Sequence, residues 1–203
     1  MFNFNRVLSF IFRRISSQLH EDWVVHYQDW TRPGFRALAV HRFGAMLQNR
    51  KQGVLSWILS MLYRSMFRYI RNHYGIELPA TTIVGRRFEI GHQNGIVIHP
   101  KTVFGDDCLV HQNVTIGESG PSRSGEAPKF GNRVVIGAGA AIIGKVVIGD
   151  DVSIGPNVTV MTNIPTGTTV CAPPPRLIKL PHRNNQTKPL SSRPEQGLLA
   201  GKE

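Results

Sequence analysis

The sequence holds only two cysteines, Cys108 and Cys171, and they form no CxxC pair. So few thiols indicate neither a disulfide framework nor a zinc site, and a reducing compartment is the default. Acidic groups are scarce as well: 13 Asp and Glu stand against 24 Lys and Arg, for a formal net charge of +11. Long uninterrupted apolar runs are also missing. The start, Met1 to Leu19, is apolar but broken by Arg6, Arg13 and Arg14, and no small-residue cleavage site follows a clean apolar core. It does not read as a secretory signal. Val54 to Tyr74 is apolar but carries Arg64, Arg68 and Arg71, too many charges to span a bilayer comfortably. These absences predict a cytoplasmic chain, with a peripheral position at the inner face of the membrane as an open alternative.

The positive excess is not spread evenly. Residues 1–80 carry 11 basic and 4 acidic groups, residues 81–180 carry 9 and 7, and residues 181–203 carry 4 and 2. A basic N-terminal third interleaved with aromatics fits a membrane surface or an acidic partner better than a nucleic acid, because no nucleic-acid-binding motif accompanies it. With 41% hydrophobic and 18% charged residues the chain has an ordinary globular balance, which excludes disorder throughout.

Residues 1–79 are expected to be helical. Val7, Phe10, Ile11 and Ile15 recur at helical spacing, and Val54 to Tyr74 places its arginines three and four residues apart. Two readings are open for these helices: a cap packed on the main domain with its arginines solvated, or a surface lying on anionic headgroups with Trp57, Phe67 and Tyr69 at the interface.

From residue 84 the pattern changes. Apolar residues fall six apart at Val84 and Ile90, then at Ile98, Phe104, Val110 and Ile116, then at Phe130, Ile136, Ile142, Ile148, Ile154 and Val160, with glycine following many of them. A period of six fits neither an amphipathic helix nor simple strand alternation, but it is the signature of a parallel β-helix, in which each hexad gives one short strand and a turn. This predicts a mainly β chain with a helical N-terminus and a repeat domain over residues 80–180. Two insertions break the register, and the longer one predicts a protruding loop over residues 117–129. Residues 181–203 are polar and proline-containing and are expected to form a disordered tail.

HQNGIVIHP, VTIGESG, APKFGNRVVIGAGAAIIG and VVIGDDVSIGPNVTVMTNIP together resemble the serine acetyltransferase family, over roughly residues 29–178. PGFRALAVHRFG also looks like that family's N-terminal helical motif. The resemblance implies a left-handed β-helix, a homotrimer with active sites between protomers, and acetyl-CoA as donor. No metal is implied.

Acetyl transfer from a thioester to an alcohol needs a base for the hydroxyl proton and donors for the developing oxyanion. Histidine suits the base because its pKa lies near the working pH. His92 matches the catalytic histidine of the family's Asp-His-x-x-Gly motif, with Gly91 in place of the Asp. Three hexads make one turn, so with the two-residue insertion Ile90 should stack over Val110 and His92 over Gln112, beside His111. His111 is either a supporting residue or an ordinary exposed histidine; His99 reads as structural. The resemblance assigns Gly117, Gly137, Ala138, Gly139 and Gly155 to the acetyl-CoA site, and Asp29, Asn94 and Glu126 to the acceptor side. Pro156 stands where the family often has another small residue.

Where the family carries an Arg-His-Pro at the end of its loop, this chain reads Glu126, Ala127, Pro128. An amino-acid acceptor thereby loses its carboxylate partners, and at Gly91 a partner for its ammonium. The expected function is therefore acetyl-CoA-dependent O-acetylation of a saccharide hydroxyl, as in exopolysaccharide biosynthesis. The alternatives are serine O-acetylation for cysteine synthesis and a catalytically dead trimeric scaffold.

Overall fold

The structure, a computed structural model, describes residues 17–48, 53–120 and 125–178. Among the described residues three helices come first: α1 over residues 17–25, α2 at Pro33–Gln48 and α3 at Val54–Tyr74. The helix expected around Val7 to Ile15 and the tail 181–203 lie outside the described residues. Gly75 ends α3 in the left-handed conformation (φ 61°), and its N–H bonds back to the Arg71 carbonyl at 3.1 Å. This cap, common at helix ends, turns the chain into its first strand at Ile76, ahead of residue 80.

Among the described residues twelve short strands then wind into a parallel solenoid. One ladder stacks β1 (Ile76–Glu77), β3 (Ile96–Ile98), β5 (Thr115–Gly117), β8 (Ala141–Ile143) and β11 (Thr159–Val160). A second stacks β2 (Glu89–Ile90), β4 (Leu109–Val110), β7 (Val135–Ile136), β10 (Ser153–Ile154) and β12 (Thr169–Val170). The third face pairs β6 (Lys129–Phe130) with β9 (Val147–Ile148), extended by isolated bridges at Ile83, Val103 and Ile164. Ile90 pairs with Val110 and Val110 with Ile136, the stacking that the hexad count and the two insertions require. Every apolar residue of the six-residue series is buried, and a second set two residues earlier, including Phe88, Cys108, Val114 and Val134, fills the prism beside it.

Two devices hold the corners. Asp106, Asn132 and Asp150 stack along one edge, where each accepts a backbone N–H from the coil before it: Arg86 to Asp106 at 2.8 Å, Asp106 to Asn132 at 2.9 Å and Asn132 to Asp150 at 2.7 Å. Next to them Arg87, Asp107, Arg133 and Asp151 all adopt positive φ, between 50° and 59°, a conformation costing an L-residue roughly 1–2 kcal/mol. Alternating charge lets them pair along the column, Arg87 with Asp107 at 2.5 Å and Arg133 with Asp151 at 2.6 Å. The glycines beside this edge have no room for a side chain: a Cβ on Gly105 would lie 2.5 Å from the Gly131 carbonyl oxygen.

The helical region is tied to the first coil by buried polar groups. Arg42 in α2 forms a fully buried pair with Asp22 in α1 (Nε to Oδ2, 2.9 Å) and donates onward to the carbonyls of Val84 and Gly85. Asp22 Oδ1 also accepts the Phe88 N–H at 3.2 Å. His26 closes the set: its Nε2 accepts the Ile90 N–H at 3.2 Å while its Nδ1 lies 2.6 Å from the Asp22 carbonyl. That arrangement fixes a neutral ring with the proton on Nδ1, and burial lowers the His26 pKa accordingly. Gly34 makes the approach possible, since a Cβ there would stand 2.9 Å from Ile90 Cβ and 3.1 Å from His26 Nε2. Asp22 and His26, with Gly34 and Arg42 of the motif PGFRALAVHRFG, thus clamp the helical region onto the first coil.

Candidate active site

β2 ends at Ile90, and the chain turns a corner through Gly91 and exposed His92. One coil on, β4 delivers half-buried His111 to the same corner. The two imidazoles lie with centroids 6.3 Å apart and planes 30° from parallel. Among the described residues neither ring has a side-chain hydrogen-bond partner, so both are open to a ligand. A Cβ at Gly91 would stand 3.2 Å from His111 Nδ1; the glycine leaves that room to the imidazole. The Gln112 side-chain oxygen is buried beside His111 without a partner.

The backbone ladder shows how much of the expected site shares this corner. Gly91 N–H donates to Val110, His111 to Ile136, Gly137 to Ile154 and Gly155 to Val170. Gly91, His111, Gly137 and Gly155 therefore form one column. Beside it Gly139 donates to Gln112 and Asn157 to Ala138, which places Ala138 and Gly139 on the same edge. A histidine pair thus sits at the head of a column of small residues, Gly137, Ala138, Gly139 and Gly155. Coils are about 4.8 Å apart, so three steps reach roughly 14 Å.

Other expected residues go elsewhere. Gly117 ends β5 and neighbours Gly144 at a different corner. The loop base is there too: Glu118 accepts the Gly125 N–H at 3.0 Å and lies 3.8 Å from His99. Glu126 faces Lys145 at 3.9 Å, and Ala127 is buried. Asn94 has positive φ (80°) at the turn after His92 and carries the ladder, donating to Tyr74 and accepting from Asn113. Asp29 closes its own turn, accepting the Thr31 N–H at 2.8 Å and the Thr31 hydroxyl at 2.6 Å. Those Thr31 bonds lower the Asp29 pKa. Sequence reasoning did not find Asp22, His26 or the reach of Arg42 to the first coil; the one available signal was the polar Arg42 inside an apolar helical motif.

A left-handed solenoid of hexads is the fold of the hexapeptide-repeat acyltransferases, and the family model described as bacterial transferase hexapeptide (six repeats) matches residues 127–161. A serine acetyltransferase of Helicobacter pylori is 38% identical over 137 residues, covering 68% of this chain and 76% of that protein. One from Synechococcus elongatus is 35% identical over 146 residues, 72% of this chain and 57% of its own. The crystal structure of serine acetyltransferase isoform 3 from Entamoeba histolytica in complex with cysteine superposes with a TM-score of 0.66 at 27% identity, over 83% of this chain and 63% of that one. The chain belongs to the serine acetyltransferase family and is an acyltransferase. It spans less than two thirds of the length of the last two relatives.

Proposed function

We propose that this chain moves the acetyl group of acetyl-CoA directly to an acceptor hydroxyl, with His92 as the general base. The observation that carries the reading is the shared corner, where His92 and His111 stand at the head of the column through Gly137, Ala138 and Gly155. An acceptor hydroxyl beside His92 gives up its proton to the imidazole as its oxygen attacks the thioester carbonyl. The thiolate of CoA then leaves and recovers that proton. His111, 6.3 Å away, adds a second donor within the site. Gly117 and the loop base stand at a different corner, so a homotrimer, in which one protomer's corner faces its neighbour's, is the assembly that unites the two halves.

The relatives' names favour L-serine as acceptor, the alternative at the level of sequence, over the saccharide. A specific observation still supports the saccharide: Gly91 offers no carboxylate to an ammonium, Ala127 is buried, and Glu126 faces Lys145 where a cation for a carboxylate would be needed. Serine's charges would then be desolvated without partners. A CoA-release assay against L-serine, nucleotide sugars and oligosaccharides decides. A specificity constant for serine above about 10⁴ M⁻¹s⁻¹, within the normal enzyme range, establishes the serine reading. Turnover confined to saccharides replaces it, and no CoA release with any acceptor leaves the scaffold. Cytoplasmic location and peripheral membrane contact belong to the same proposal.

A further inference from the structure

α3 is apolar on two sides. Its inner side, Tyr63, Phe67 and Ile70, packs on the core. Its outer side shows Val54, Leu55, Trp57, Ile58, Met61 and Leu62 to solvent, from 50% exposed at Ile58, Met61 and Leu62 to 78% at Val54. The apolar side of an amphipathic helix is normally the covered one, so a contiguous exposed apolar arc of this kind marks an interaction surface. Charge narrows the occupant. Arg64, Arg68 and Arg71, four and three residues apart, line one flank of the exposed arc and are themselves exposed. From Trp30 to Ile76 the sequence holds eight Lys and Arg and no Asp or Glu. A second copy docking here by two-fold symmetry would bring arginines to a face with no carboxylate to meet them. Residues 1–16, which carry Arg6, Arg13 and Arg14 and no acid, suffer the same mismatch. An anionic lipid surface answers both features, taking the apolar side chains into its headgroup boundary and the guanidiniums onto its phosphates. Among the described residues no helix is long and apolar enough to cross a membrane.

We propose that the outer face of α3 docks the enzyme on an anionic bilayer surface, with Trp57, Ile58, Met61 and Leu62 inserted at the interface and Arg64, Arg68 and Arg71 on the headgroups. This deepens the peripheral contact named above and is independent of the acceptor, since vesicle binding can succeed or fail whatever CoA release shows. Co-sedimentation of the full chain with phosphatidylcholine vesicles, with and without about 30% phosphatidylserine at low salt, tests it.

Binding is expected to the anionic vesicles alone and to weaken as salt rises. At about fivefold per arginine, converted from roughly 1 kcal/mol per surface charge, Arg64→Gln with Arg68→Gln and Arg71→Gln should cost about a hundredfold. Ile58→Ser with Met61→Ser should release the protein while leaving its melting temperature within a few degrees, because both side chains are exposed. Trp57 fluorescence should shift to the blue on binding, a shift that Trp57→Phe removes. No binding to anionic vesicles, equal binding to neutral ones, or unchanged binding by these variants overturns the proposal. Self-association that Met61→Ser abolishes, in a protein indifferent to vesicles, assigns the face to a second copy instead.

Discussion

Replacing Asp22 by Ala should destabilise the fold by about 3–5 kcal/mol, the usual cost of removing one partner from a buried ion pair. The structure accounts for the size. Asp22 is fully buried, accepts from the Arg42 Nε at 2.9 Å and takes the Phe88 N–H at 3.2 Å. Its loss orphans that N–H and leaves a guanidinium, 6% exposed, with only the Val84 and Gly85 carbonyls for company. Burial itself raises the Asp22 pKa against the opposing pull of Arg42, so the pair is not a large net source of stability. Removing both partners together should therefore cost less than removing one. For a chain of this size the single change corresponds to a fall in Tm of roughly 6–20 °C. Urea unfolding followed by circular dichroism at fixed protein concentration measures it, since any oligomer makes the midpoint concentration-dependent. The comparison is Asp22→Ala, Arg42→Met and the double variant Asp22→Leu with Arg42→Met. A loss below about 1 kcal/mol for Asp22→Ala, or a double variant worse than both singles combined, would refute the clamp.

Three further outcomes follow from the same geometry. His92→Ala should lower turnover by about a hundredfold or more with an unchanged melting temperature, and near-normal CoA release would remove His92 from the chemistry. Gly105→Ala, whose Cβ would lie 2.5 Å from the Gly131 carbonyl oxygen, should cost roughly 1–3 kcal/mol in urea unfolding. Burial, and then the nearby Arg42, hold the His41 pKa down to about 4, against 6.5 when unfolded, and burial lowers His26 too. Both rings are neutral in the fold and protonate on unfolding, so stability should fall as pH drops from about 6.5 towards 4, by up to about 1.4 kcal/mol per unit for each histidine. His41→Gln should flatten that slope; an unaltered urea midpoint between pH 7 and pH 5 in the parent chain would contradict it.

The solenoid was readable because its code is local and repeated: an aliphatic residue every six positions, and two insertions whose lengths set which strands meet. Ile90 over Val110 could be counted before any coordinate was seen. The corner column was half legible for the same reason, since stacking arithmetic carries His92 to Gln112 but gives no ring-to-ring distance. The clamp was not legible. Asp22, His26 and Arg42 are twenty residues apart at most along the helices, yet they act on Val84, Gly85, Phe88 and Ile90, more than forty residues further on. No periodicity announces such contacts, and a buried Asp reads locally like any exposed one. The two sides of α3 were only partly told apart: Trp57 and Tyr69 are exposed as expected, but Phe67, expected beside them, packs on the core, because an apolar side chain looks the same until packing shows which side is covered.

The buried clamp also bears on how the protein avoids polymerising. The first turn of any parallel β-solenoid ends in a raw row of N–H and C=O groups, a ready template for stacking another copy end to end. Here Asp22 and His26 occupy the donors of Phe88 and Ile90, and Arg42 occupies the acceptors of Val84 and Gly85. Side chains from the helical region thus cover the open edge at β2 in place of a further strand. A chain that loses them keeps its coils but bares a sticky end, so its failure should appear first as fibrils that grow with concentration and bind amyloid dyes, ahead of any loss of β structure.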